Sequence, residues 1–244
     1  MYYSEYDKKV LPLLLLAMIL ISVVLAILLR KKSERIRSIP TAVIAVFMVF
    51  IEIIKQRWNL LGEFNYFYLP FHYCSLFLIV FPLAELCGKK LSRIFRPVAA
   101  SMAFIVSVGM YVSPQGMMGT ATEIFGKDFH HTHSLIFHHL LVFYVILVWA
   151  LQLCKPRIRD AFTVGGIGVL YVAIALPISY KLATNYCNFL ESVLPFFEAF
   201  RLSHGQIAYT VVLSLALTVG TVIGSFIYIG VSKLFTIRLR KKAH

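Results

Sequence analysis

Seven stretches of this chain are apolar for long enough to cross a bilayer, and no soluble fold buries that many. They cover residues 10–29, 41–58, 70–86, 97–112, 134–153, 161–182 and 206–234. A spanning helix needs about 20 mostly apolar residues to cross a hydrocarbon core of about 30 Å. In 244 residues, of which 59% are hydrophobic, little chain is left for anything else. The expected architecture is all-α: a polytopic membrane protein, a bundle of seven transmembrane helices forming one domain over residues 1–244.

The net charge of +13 would suggest nucleic acid as a partner if the basic residues were clustered without regard to the spans. They are not. Arg30, Lys31, Lys32, Arg35 and Arg37 follow the first span, and Lys89, Lys90, Arg93 and Arg96 follow the third. Lys155, Arg157 and Arg159 follow the fifth, and Lys233, Arg238, Arg240, Lys241 and Lys242 close the chain. Seventeen of the 24 basic residues therefore fall on one side. The positive-inside rule puts that side in the cytoplasm, with the N-terminus outside and the C-terminus cytoplasmic. The charge is accounted for by topology, and no nucleic acid is expected. Glu5 and Asp7 balance Lys8 and Lys9 ahead of the first span, so that span reads as an anchor and not as a cleaved signal.

Cytoplasmic loops are short, about three to twelve residues, so consecutive spans should pack as antiparallel neighbours. The outer side has two longer loops, 113–133 and 183–205. In the second, Phe189, Leu190, Val193, Leu194, Phe196 and Phe197 either lie along the membrane surface or cap the bundle. The fourth span is short and leads into Tyr111, Ser113, Pro114 and Gly116, so its helix either crosses a thin region or begins within 93–96. Pro177 is expected to kink the sixth span. Ala216, Gly220 and Gly224 place a small residue every fourth position of the seventh, a face for close helix packing.

Polar residues inside these spans gather at one depth. Glu52 lies six positions from Trp58, about 9 Å below the outer end of its helix, where it needs a partner or a proton. Lys55 is the local candidate. Cys74 is about 6 Å down the third span, and His138 and His139 are about 6 to 8 Å down the fifth. His130, His131 and His133 precede them on the outer loop. In a regular helix His72 and Cys74 would point about 160° apart, with Cys74 on the face of Phe71 and His72 on that of Ser75.

The four cysteines, Cys74, Cys87, Cys154 and Cys187, have no metal-type spacing. Cys87 and Cys154 fall at cytoplasmic ends, where disulfides are not expected, and Cys187 lies in an outer loop.

Three chemistries fit this layer. A cysteine nucleophile needs a base, which His138 or His139 would supply, with Glu52 or Asn185 orienting the imidazole or polarising an ester carbonyl. Alternatively the histidines bind zinc, or Glu52 and the histidines line a proton or solute path in a transporter or channel-like protein. Leu69-Pro70-x-His72-x-Cys74, the polar head of the fifth span, and Asn185-Tyr186 followed by Phe189-Leu190 resemble the YwaF family of bacterial integral membrane proteins. That family is related to the eukaryotic transmembrane protein 164 group.

The resemblance implies phospholipid acyl transfer through a cysteine; the expected setting is the cell membrane, with membrane lipids as partners and no cofactor. In the eukaryotic pattern a cysteine stands between the proline and the histidine; that position is Phe71 here, and Cys74 lies one turn deeper. Cys74, His72, His138, His139 and Glu52 are therefore the candidate catalytic residues. Asn185, Tyr186, Ser75 and Tyr111 are the candidate substrate contacts.

Overall fold

The computed structural model describes residues 5–112 and 129–241, with side chains for 8–112 and 129–234. Among the described residues every regular element is helical. The helices are α1 (Glu5–Leu29), α2 (Glu34–Arg37), α3 (Ile39–Leu61), α4 (Phe77–Glu85), α5 (Gly88–Val112), α6 (Phe129–Ala150), α7 (Ile158–Lys181) and α8 (Pro195–Lys241). Three 3₁₀ turns, Tyr66–Tyr68, Tyr73–Leu76 and Tyr186–Asn188, lie between them. Among the described residues six helices are long and apolar enough to cross a membrane, and the chain is a multi-pass membrane protein.

The third apolar stretch is the exception in length, because its helical part runs only from Tyr73 to Glu85. Pro70 excludes the helical conformation from the residue before it, and Leu69 is extended (φ −64°, ψ 152°). His72 is extended as well (φ −73°, ψ 152°), so helical turning begins at Tyr73, as a 3₁₀ turn. The opposed directions expected for His72 and Cys74 presupposed a regular α-helix, which this segment does not form. The short helix still runs between both ends of α3: Tyr68 meets Gln56 near one end, and Glu85 meets Thr41 near the other.

Two other helices begin earlier than hydropathy suggests. α5 starts at Gly88, whose positive φ (85°) makes the sharp turn from α4, so Lys89, Lys90, Arg93 and Arg96 belong to its first turns. α6 starts at Phe129, which places His130, His131 and His133 on a helix instead of a loop. Ser113, Pro114 and Gly116 lie outside the described residues.

The main core is built by α3 to α7, with Met48, Phe77, Phe81, Met102, Leu141 and Tyr144 fully buried. α1 joins at the side, where Leu11 and Met18 pack on Leu135 and Val142 of α6. α8 packs on α5 and α7. Close approach is set by glycines: a Cβ on Gly224 would sit 2.6 Å from Ile105, and one on Gly165 would sit 2.6 Å from Val222. Of the expected small-residue face, Gly220 has open space around it. In the loop between α7 and α8 Phe189 is buried and caps the core, whereas Val193, Leu194 and Phe196 are exposed. α8 breaks direction at Gly205 (φ 83°, ψ 166°), separating a short N-terminal arm from the long helix.

At one end of the bundle a buried ion pair ties four elements together. Arg96 donates from Nε and NH2 to the two oxygens of Glu85, each at 2.9 Å. Tyr144 and Thr41 donate to the same carboxylate at 2.7 and 2.8 Å. Arg96 also reaches Glu34 at 3.2 Å and the Leu153 carbonyl at 3.4 Å. The bidentate geometry and full complement of donors make this a structural lock. We refer to it as the basic end, and to the opposite end as the histidine end.

Candidate functional site

At the histidine end Glu52 is the centre of a polar cluster. Its side chain is 8% exposed and accepts from Lys55 Nζ at 2.7 Å, one turn along the same helix. Gln56 Nε2 donates to Oε1 at 2.7 Å. His133 Nε2 approaches Oε2 at 3.3 Å from α6. A carboxylate at this depth is tolerable because a cation and two further polar groups surround it. Gln56 also donates to the Tyr68 carbonyl at 2.8 Å, which fixes the non-helical segment against α3. His130 lies flat on the Tyr68 ring, with centroids 3.6 Å apart. These anchors explain why α6 starts five residues before its hydropathic span.

Each histidine's available nitrogen follows from its hydrogen bonds, since a carbonyl can only accept. His72 Nε2 bonds the Phe67 carbonyl at 3.1 Å, so the lone pair of the neutral ring is on Nδ1. His138 Nδ1 bonds the Ser134 carbonyl at 2.8 Å, and His139 Nδ1 bonds that of Leu135 at 2.8 Å. Both therefore carry their lone pair on Nε2, and that atom of His139 is buried without a hydrogen-bond partner among the described residues. His72, Glu52 and Lys55 are close enough to act on one another electrostatically. The same is true of His138 with His72 and His133, and of Cys74 with Glu52, Lys55 and Cys187.

Cys74 sits half-buried in the 3₁₀ turn after His72, and among the described residues no hydrogen bond joins its sulfur to a histidine. Ser75 continues that turn, its N–H bonded to the His72 carbonyl at 2.9 Å.

A second thiol, absent from the sequence-derived set, lies beside the turn. Cys187 Sγ accepts from the Tyr73 N–H at 3.1 Å and from the Tyr171 hydroxyl at 2.9 Å. The Tyr171 hydroxyl also contacts the Phe71 carbonyl at 2.8 Å. Burial pushes the Cys187 thiol above its usual value, against the opposing pull of those two donors. Sequence gave little hint of this, because Cys187 and Tyr73 are 114 residues apart.

The remaining candidates have other occupations. The Asn185 amide clamps its own loop, donating to the Glu191 carbonyl at 3.0 Å and accepting from the Leu190 N–H at 2.9 Å. Tyr186 is buried, stacks edge-on against Phe71 and His72, and donates its hydroxyl to the Tyr66 carbonyl. Tyr111 packs in the side cluster with Leu11 and Met18, its hydroxyl buried without a hydrogen-bond partner among the described residues.

An open groove of about 430 Å³ runs along α3 beside the cluster, lined by Glu52, Gln56 and Arg57 with Ile53, Leu60 and Leu61. Among the described residues no three His, Cys, Asp or Glu side chains are placed to hold a metal ion. Between Glu52 and Glu85 lie fully buried apolar and aromatic residues, Met48, Phe77, Phe81 and Tyr144 among them. A family model described as the TMEM164 family matches residues 2–225. No curated protein and no solved structure matches the chain.

Proposed function

The chain belongs to the TMEM164 family, and from that premise we propose that it transfers acyl chains between membrane phospholipids, with Cys74 as nucleophile. The observation that carries the reading is the gathering of Glu52, His72, Cys74 and His138 at one end of the bundle. They come from three separate segments: Glu52 acts electrostatically on His72 and Cys74, His72 acts on His138, and Glu52 also lines the apolar groove along α3.

In this reading His138 Nε2 takes the proton from the Cys74 thiol, and the thiolate attacks the carbonyl of a phospholipid acyl ester. A thioester forms as the ester C–O bond breaks, and the His138 imidazolium returns its proton to the departing glycerol oxygen. The hydroxyl of a lysophospholipid then gives its proton to His138 and attacks the thioester. The new ester forms, and Cys74 leaves as thiolate and is reprotonated. Glu52, held between Lys55 and His133, fixes the charge of the chamber and positions α6. Asn185 and Tyr186 hold the loop that covers the turn. Ser75 and Tyr111 remain the proposed contacts to substrate, and His139 is a second base of the same tautomer. The extracytoplasmic placing of this end, in the cell membrane, is part of the proposal and rests on the distribution of basic residues.

The test is acyl transfer from a labelled phospholipid to a lysophospholipid in proteoliposomes. Cys74→Ala and His138→Ala are expected to abolish it, and wild-type protein quenched during turnover is expected to carry an acyl adduct on Cys74. Activity that survives Cys74→Ala but not Cys187→Ala would move the nucleophile to the thiol that holds two hydrogen-bond donors. Activity surviving both would sink the reading.

A further inference from the structure

The basic end carries a feature that the acyl-transfer reading does not use. A cavity of about 480 Å³ opens there between the α2 segment, the start of α5 and the α6–α7 connection. Arg37, Arg93, Lys155, Arg157 and Arg159 line it together with Arg96. The acidic groups are already engaged: Glu34 bonds Arg96, and Asp160 accepts the Arg157 N–H at 2.6 Å and faces Arg159 at 3.8 Å. Among the described residues Arg37, Arg93, Lys155 and Arg157 have no ion-pair partner. Arg37 donates from NH1 to the Leu151 carbonyl at 2.8 Å, yet its Nε is buried with no hydrogen-bond partner among the described residues. Positive-inside topology requires basic residues on this side but does not require them to share one cavity or to leave a buried donor unanswered.

We propose that this cavity is a phosphate site, which takes either the headgroup phosphate of an anionic phospholipid or a free phosphate compound. Guanidinium forks suit phosphate oxygens, and basic pockets between transmembrane helices recognise charged headgroups. The rim favours the lipid: Ile36, Ile39, Ile94 and Ile158, next in sequence or nearly so to the cations, are all exposed. That arrangement puts apolar surface for acyl chains beside charge for a headgroup. The proposal concerns the opposite end of the bundle from Cys74 and does not rest on the acyl-transfer reading.

The test uses the full-length protein in nanodiscs of equal parts phosphatidylcholine and phosphatidylglycerol, released for native mass spectrometry. The wild type is expected to retain phosphatidylglycerol selectively. Arg93→Gln/Arg157→Gln should reduce that retention about tenfold, while Lys89→Gln/Lys90→Gln, exposed at the same end but outside the cavity, should leave it unchanged. In a second arm inorganic pyrophosphate is titrated into protein held in phosphatidylcholine alone. Binding there, lost in the cavity variant, with no lipid selectivity in the first arm, supports the phosphate site and assigns it a soluble source. Absence of both signals, or equal loss in the two variants, overturns the proposal.

Discussion

His133 Nε2 of α6 lies 3.3 Å from Glu52 Oε2 of α3, joining two helices 81 positions apart in sequence through one buried carboxylate. Because Lys55 is bound to the other oxygen, removing Glu52 strands a cation that is itself only 12% exposed. Glu52→Ala is expected to lower stability by about 3 kcal/mol, and Glu52→Gln by less, since the amide can still accept from Gln56. Thermal unfolding in nanodiscs reads the difference, and an unchanged midpoint in Glu52→Ala would contradict the cluster.

At the other end, Arg96→Ala leaves Glu85 enclosed with no countercharge, which is expected to cost about 3 to 5 kcal/mol. Arg96→Lys should recover only part of that, because a single ammonium cannot reproduce the two parallel bonds. A double-mutant cycle with Glu85→Gln is expected to show strong coupling between the two positions.

The glycines of α8 should respond unequally. Gly224→Val drives a side chain into Ile105 and is expected to destabilise by about 1 to 3 kcal/mol, while Gly220→Val meets open space and should be nearly neutral. Equal effects at the two sites would mean that α8 packs through a different face.

Thiol chemistry gives a pH prediction. The Cys187 thiol is held above its ordinary value by burial, so its thiolate fraction at neutral pH is smaller than that of a free cysteine. Its alkylation by a membrane-permeant maleimide should be slow at pH 7 and keep rising beyond the pH at which a free cysteine in solution has levelled off. Tyr171→Phe removes one donor to the sulfur and should slow the reaction further.

Orientation can be read from Cys87, which is exposed in the turn between α4 and α5. A membrane-impermeant maleimide is expected to label it in inside-out vesicles and not in intact cells. The opposite result would invert the topology taken from the seventeen basic residues.

Most of the fold was legible in sequence because membrane insertion is decided by the length and polarity of local stretches. Helix limits were less so. Pro70 marks where a helix cannot begin, yet the later start at Tyr73 depends on the bond from Gln56 to Tyr68, a contact between segments. The early start of α6 likewise depends on His130 and His133 finding Tyr68 and Glu52. Within the candidate site, Glu52 and Lys55 could be paired from i, i+3 spacing alone. His133 and Cys187 could not, because both reach the cluster from distant parts of the chain.

The brevity of Tyr73–Glu85 bears on the bilayer itself. Thirteen residues advance only about 20 Å, roughly 10 Å less than a typical hydrocarbon slab. A helix this short is matched by a bilayer that thins around it, on the side where residues 62–72 adjoin its start. In the acyl-transfer proposal, that thinning brings the glycerol ester bonds of membrane lipids nearer the depth of Cys74.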